Sequence, residues 1–230
     1  MEATNQELTN FAYIVSHDLK APLRGINSLA TWLASDYADQ LGEDGAKKLN
    51  LIANRAQRMS GLVDGILAYS RAGRDSENKQ TIDTDTLVRN IIELLAPPPH
   101  ITVKITTPLP PISMDPTKAQ QVFQNLLSNA IKFNDKPSGL VTVNCIDEAP
   151  FWHFTIVDNG PGIEAKYFDK IFELFQTLNR RDDVESTGIG CSIMKRIIEL
   201  EGGKIWVESI FGEGTTFHFT LPQITPSNTN

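Results

Sequence analysis

Residues 8–33 read LTNFAYIVSHDLKAPLRGINSLATWL, and their spacing decides the first half of the fold. Leu8, Ala12, Val15, Leu19, Pro22, Ile26, Leu29 and Leu33 recur in alternating steps of four and three, the a/d seam of a heptad repeat. Pro22 falls in phase with that seam, so it predicts a kink rather than an end to the helix. Residues 35–45 are polar and carry two glycines, which predicts the connection. A second helix follows, with Leu49, Ile52, Ala56, Met59, Val63, Ile66 and Ser70 at the same spacing. Two such helices make an antiparallel hairpin whose seam is too narrow to be a core. Pairing two hairpins into a four-helix bundle would bury it, so a homodimer through residues 1–72 is expected. The competing expectation is a monomeric hairpin packed on the rest of the chain.

Beyond the hairpin, RAGRDSENKQ (residues 71–80) is nearly devoid of apolar side chains, and residues 73–80 are expected to be a linker. The periodicity then becomes mixed. Helices are predicted at 85–95, 116–133 and 188–201, and strands at 101–106, 140–146, 151–157, 204–209 and 215–221. Strands interleaved with helices, without strict βαβ alternation, predict an α/β sandwich with helices on one face of a mixed sheet over residues 81–223. Residues 224–230 are expected to be a loose tail.

Composition narrows the function. The 230 residues are 40% apolar, enough for a core without staples. Lys and Arg number 21 against 28 Asp and Glu, a net charge of −7 that speaks against a nucleic-acid footprint. The two cysteines, Cys145 and Cys191, form no CxxC pair, so neither a zinc ribbon nor a disulfide framework is on offer. With no signal-peptide pattern and no long apolar run, a cytoplasmic protein is expected.

Four blocks carry chemistry. In Ser16-His17-Asp18-Leu19-Lys20-Ala21-Pro22, the predicted seam puts His17 on the outward f position. An isolated surface histidine usually has no role. Here Asp18 can accept the Nδ1 proton and leave Nε2 nucleophilic, with Lys20 close by. On the helix after Asp115, Gln121, Asn125, Asn129 and Lys132 share one face, while Phe123, Leu126, Leu127 and Ala130 form the other. Asparagine costs ~0.5–0.7 kcal/mol against alanine in a helix, a poor choice for mere solubility. An amide oxygen suits Mg²⁺ when phosphates complete the octahedron, Lys132 can neutralise a phosphate, and Phe133 offers a face to a base.

Val157-Asp158-Asn159-Gly160-Pro161-Gly162-Ile163 ends a predicted strand. A carboxylate there can accept from an exocyclic amine, and Gly160 and Gly162 allow close approach of a flat ligand. A plain Asn-Gly turn is the rival explanation. Finally, Thr187-Gly188-Ile189-Gly190-Cys191 opens a helix, whose first N–H groups suit phosphate. It is neither a Walker loop nor a dinucleotide fingerprint. Between these two blocks, residues 176–186 (QTLNRRDDVES) have the composition of a mobile lid, with Arg180 or Arg181 able to reach a γ-phosphate.

Together, and in this order, the blocks resemble the catalytic core of a bacterial sensor histidine kinase. SHDLKAPLR resembles its H-box, NLLSNAIKF its N-box, DNGPGI and TGIGCSI its two glycine boxes, and KIFELFQ, with Phe172 and Phe175, its F-box. The resemblance runs from about Leu8 to Leu221. It implies a dimeric phosphoacceptor hairpin followed by an ATP-binding sandwich of the gyrase and chaperone ATPase superfamily. It also implies roles. His17 would be the phosphoacceptor and Asp18 its orienting base. Asn129 would hold Mg²⁺, supported by Asn125, with Lys132 on phosphate. Phe133 would flank adenine and Asp158 bind its amine. Gly160 and Gly162 would shape the base pocket, while Arg181, Thr187, Gly188 and Gly190 would attend the phosphates.

The implied reaction is autophosphorylation of His17 by ATP, then transfer to an aspartate in the receiver domain of a separate response regulator. The sequence departs from the family pattern at Cys191, where leucine is usual, and at Ala21, where many relatives carry Thr or Asn. No sensor or receiver is recognisable, so an upstream sensor domain is expected outside this chain. A degenerate dimeric scaffold or phosphotransfer relay is the alternative. A mechanical ATPase of the same superfamily is a third reading, disfavoured by a histidine on a hairpin dimer.

Overall fold

Two long helices come first in the computed structural model, which describes residues 2–72, 78–176 and 188–224. Helix α1 spans Glu2–Asp36 and runs through Pro22 without ending, as the in-phase seam predicts. Tyr37 makes the turn, and α2 spans Ala38–Ala72. The expected connection over 35–45 is therefore mostly helical. Its residues continue the two helices on either side of Tyr37, and within α2 the irregular residue is Gly42, whose φ of 60° kinks the helix. Between the helices the buried side chains are Ser16, Leu23 and Ala30 of α1, seven residues apart, with Ala56, Val63 and Leu67 of α2. The Lys20 ammonium pairs with Asp64 across the hairpin. The predicted seam residues Leu19, Ile26, Leu29 and Leu33, and Ile52, Met59 and Ile66 of α2, are instead exposed. One hairpin spends its narrow inner stripe on itself and leaves the wider apolar stripe outside.

Two compact units divide the chain: residues 1–71 with 174–189, and residues 72–173 with 190–230. The second unit holds the sheet. Strand β1 (Gln80–Ile82) pairs antiparallel with β3 (Ile112–Met114), so Gln80, at the end of the expected linker, already lies opposite Met114. Helix α3 spans Thr84–Leu95 and is capped by Asp83, whose carboxylate accepts from the Thr86 N–H at 3.1 Å and hydroxyl at 2.9 Å. Helix α4 spans Pro116–Lys132, with Pro116 in its first turn and the Asp115 carboxylate accepting from Thr117 and Lys118.

The main sheet has the order β2-β4-β5-β7-β6, with β2 (Ile101–Ile105), β4 (Gly139–Glu148), β5 (Phe151–Asp158), β6 (Ile205–Ile210) and β7 (Gly214–Pro222). Only β2 and β4 are parallel among these pairs; the rest are antiparallel, the mixed sheet that the strand spacing predicts. Strand alternation sends Val141, Val143, Phe154, Ile156, Phe217 and Phe219 to one buried face. Helix α4 and α5 (Gly190–Leu200) cover it. At its centre Phe123 meets Phe154 and Phe219 edge-on, with centroids 5.5 and 5.4 Å apart, while Phe154 and Phe219 stack at 5.0 Å. Phe123 is fully buried. Phe123→Ala is expected to cost about 3–5 kcal/mol of unfolding free energy, read from the denaturant midpoint. No helix among the described residues is long and apolar enough to cross a membrane.

Candidate nucleotide-binding site

Strand β5 ends at Asp158, on the buried-face side of the sheet beside α4. Its Oδ1 accepts from the Gly160 N–H at 2.8 Å, so the chain folds back at once over the carboxylate. A Cβ at position 160 would come within 2.7 Å of that oxygen, so any larger residue there would displace the carboxylate from its hydrogen bond. Gly162 takes φ 71°, and a Cβ there would lie 2.3 Å from the Ile210 carbonyl oxygen. This turn does not join neighbouring strands, so the Asn-Gly hairpin explanation fails. Burial pushes the Asp158 carboxyl up to about 6, although the N–H groups of Gly160 and Thr215 favour its charged form; the Asp135 charge adds to the rise.

The same turn is joined to the end of α4. Asn134 Nδ2 donates to Asn159 Oδ1 at 3.0 Å, and Asn159 also accepts from the Leu140 N–H and donates to the Ser138 carbonyl. Three hydrogen bonds thus commit Asn159 to scaffolding. Phe133, half-buried, terminates α4 next to Gly160, and the Lys132 ammonium sits 5.8 Å from the Phe133 ring centre.

One and two turns earlier, α4 faces the start of α5. Asn125 Nδ2 donates back to the Gln121 carbonyl at 2.8 Å, which turns Oδ1 toward Gly190; a Cβ at 190 would lie 3.0 Å from that oxygen. Asn129 Nδ2 points to Cys191 Sγ at 3.8 Å, leaving the amide oxygen for another partner. Burial pushes the Cys191 thiol up to about 12, so it stays protonated and unreactive. No cluster of three or more His, Cys, Asp or Glu side chains suited to a metal occurs among the described residues. A metal at Asn129 would therefore draw most of its oxygen ligands from phosphate and water, which suits Mg²⁺.

The predicted residues thus fall into three groups. Phe133, Asp158 and Gly160 meet at the end of α4, with Gly162 further along the same turn beside Ile210, and Asn125, Asn129 and Gly190 meet where α4 passes α5. His17, Asp18 and Gly188 belong to the helical unit. Gly188 takes φ 68°, with the Gln176 carbonyl 2.5 Å from where a Cβ would be. Arg180, Arg181, Thr187, most of the expected lid and the His17 side chain lie outside what is described.

Two family models match. Residues 7–75 match the His Kinase A phospho-acceptor domain, and residues 114–225 the histidine kinase-, DNA gyrase B- and HSP90-like ATPase. The chain belongs to the sensor histidine kinases, as their catalytic core. It is 40% identical to cyanobacterial phytochrome B of Nostoc over 229 residues, 97% of this chain and 30% of that protein. It is 32% identical to the sensor protein kinase WalK of Staphylococcus saprophyticus, over 96% of this chain and 37% of that one. The chain therefore spans about a third of the length of such relatives. Among solved structures, full-length ShkA in complex with AMPPNP superposes with a TM-score of 0.66 over 93% of this chain and 45% of its own, at 24% identity, a likeness of fold.

In this histidine kinase core, sequence reasoning missed Thr215 and Ser209. Thr215 presents its N–H to the Asp158 carboxylate, and Ser209 lies opposite Thr215 on β6. Both are polar at inward strand positions otherwise filled by Val207, Phe217 and Phe219. That break in alternation was the available signal.

Proposed function

We propose that this core binds ATP between the end of α4 and the glycine turn after β5, phosphorylates His17, and passes the phosphoryl group to an aspartate of a response regulator. The observation that carries the reading is the convergence of Phe133, the half-buried Asp158 carboxylate and the Gly160 turn at the end of α4, an aromatic face and an acceptor that suit a flat base. Asp158 accepts from the adenine amine, and Gly160 and Gly162 let the base approach the backbone. The Asn129 amide oxygen holds Mg²⁺, Asn125 keeps the neighbouring surface of α4 polar, and Lys132 offsets phosphate charge. Gly188, Gly190, Thr187 and Arg181 attend the phosphate chain. Mg²⁺ supplies charge neutralisation at the phosphates, where phosphoryl transfer depends chiefly on positioning and electrostatics.

At the hairpin, Asp18 accepts the Nδ1 proton of His17 and Nε2 forms the new N–P bond, while ADP leaves with the electron pair of the broken P–O bond. ThkA, solved in complex with the response regulator protein TrrA, superposes over 99% of this chain with a TM-score of 0.62 at 23% identity, which supports the fold on which such a transfer would take place. Homodimerisation through residues 1–72 accounts for the exposed stripe of Leu19, Ile26, Leu29, Leu33, Ile52, Met59 and Ile66. Cytoplasmic placement and an upstream sensor domain complete the proposal.

Incubation with γ-labelled ATP tests the reading: acid-labile, alkali-stable label on the protein supports it, and no label, or label stable to acid, overturns it. Asn129→Ala is expected to abolish Mg²⁺-dependent labelling while leaving metal-free nucleotide binding within a few-fold, checked by calorimetry with and without Mg²⁺. Ala21, exposed one helical turn after His17, carries no group able to orient water. The protein is therefore expected to be a weak phosphatase of its response regulator, and Ala21→Thr to raise that rate. Rapid decay of a chemically phosphorylated receiver with wild-type protein and ADP would contradict this.

A further inference from the structure

We propose that Ser209 is a positioning residue for base recognition, its hydroxyl tying the glycine turn to β7 so that the Asp158 carboxylate is held in place. The inference rests on the reading that Asp158 meets adenine. Asp158, Thr215 and Ser209 lie in one row across β5, β7 and β6, since Asp158 pairs with Thr215 and Thr215 with Ser209. The row begins at Val141 of β4, and the next inward row contains Val143, Ile156, Phe217 and Val207. Three polar residues side by side on the helix-facing surface of a sheet carry a desolvation cost unless each is hydrogen-bonded.

The Ser209 hydroxyl is saturated. Its one proton goes to the Gly214 carbonyl at 2.6 Å, and its oxygen accepts from the Ile163 N–H at 2.8 Å; Thr215 Oγ1 lies 3.1 Å away as the second donor. Ile163 closes the turn that begins at Asp158, and Thr215 follows Gly214. The two N–H groups that favour the charged carboxylate, from Gly160 and Thr215, therefore sit on two segments joined through one oxygen. Gly214, at φ 149°, allows the close approach: a Cβ there would lie 2.1 Å from the Asp158 carbonyl oxygen. The Gly212 N–H donates to the Pro161 carbonyl at 2.7 Å, a parallel tie between backbones. That bond holds the middle of the turn, whereas Ser209 holds its far end against the strand that faces Asp158.

A serine that merely filled space would be replaceable by alanine with no effect on a carboxylate two strands away. The test compares Ser209→Ala and Ser209→Thr with wild type, first without nucleotide. Ser209→Ala is expected to raise the Asp158 titration midpoint, followed by carboxyl-carbon NMR, and to speed Ile163 amide exchange about tenfold, the scale of one lost hydrogen bond. Ser209→Thr restores both. With nucleotide, Ser209→Ala weakens ATP about tenfold and leaves GTP unchanged, so the preference for ATP shrinks. Should Ser209→Ala not fold, Ser209→Cys, a weaker donor and acceptor of similar size, is read in the same way. A folded variant with wild-type Asp158 titration and Ile163 exchange overturns the proposal. Undiminished ATP affinity in Asp158→Ala overturns the adenine reading, a separate failure that the nucleotide-free measurements identify as such.

Discussion

Replacing His17 with alanine is expected to abolish acid-labile phosphorylation of this protein while leaving its secondary structure, proposed dimerisation and ATP binding intact. The expected loss is complete, to background, because covalent transfer needs an imidazole nitrogen at the acceptor position and no neighbouring side chain supplies one. Position 17 lies within α1, and the buried stripe of the hairpin is made by Ser16, Leu23 and Ala30 with Ala56, Val63 and Leu67. The heptad spacing puts position 17 on the outward f position, so the substitution is expected to leave the hairpin packing untouched. The other histidines make poor substitutes. His153 and His218 are engaged with each other at 3.1 Å on the far face of the sheet, His218 stacked on Trp206 and His153 tilted against it, and His100 precedes β2. Labelling with γ-labelled ATP, acid and alkali treatment, and circular dichroism on the same sample check the result. Acid-labile label persisting in a folded His17→Ala protein would show that another residue is the acceptor.

Replacing Asp158 with asparagine is expected to stabilise the nucleotide-free protein and to weaken ATP. The folded-state value of about 6 lies above the ordinary 3.8, so the folded protein binds a proton more tightly than the unfolded chain. Between those values the folded state still holds a proton that the unfolded state has released. Stability contributed by this group is therefore present below pH 3.8, declines as pH rises toward 6, and stays lost above it. Asparagine keeps an oxygen for the Gly160 N–H and removes the charge. At pH 7.5 Asp158→Asn should gain on the order of 1–3 kcal/mol, a gain that shrinks toward pH 4. Denaturant midpoints of both proteins across pH 4–8 check this, and a difference that does not vary with pH would refute it. ATP should bind about 10–100-fold more weakly, because the new NH₂ group meets the adenine amine donor to donor. In wild type, ATP affinity should fall as pH drops below about 6.

Much of this was legible in the linear pattern. A heptad seam through Pro22, helical spacing from Pro116 with Asp115 before it, and period-two runs each depend on neighbours within a few residues. These local rules placed α1, α4, β4, β5 and β7 to within a few residues. The hairpin connection was misplaced because polarity alone cannot distinguish a solvated loop from a solvated helical turn. Residues 40–50 are exposed or half-buried on α2, and within that helix only the φ of Gly42 departs from helical values. The short pair of β1 and β3 was missed because three-residue strands have no period to detect, and their partners lie thirty or more residues apart.

The candidate site divides in the same way. Sequence alone determined which residues are candidates for the chemistry, since His17, Asn125, Asn129, Asp158 and the paired glycines occur in ordered blocks whose composition is costly without a role. Tertiary structure decided what surrounds them. The rise of the Asp158 carboxyl, the turning of Asn125 by the Gln121 carbonyl, and the approach of Cys191 to Asn129 depend on elements distant in sequence or on side-chain direction. So does which apolar stripe of the hairpin stays exposed. Ser209 is the sharpest case. A polar residue at an inward position is all that marks it in IWVESI, and only the pairing of β6 with β7 brings its oxygen to Ile163, 46 residues earlier in the chain. Burial and hydrogen bonding are properties of neighbours in space, and a linear pattern holds only the neighbours in sequence.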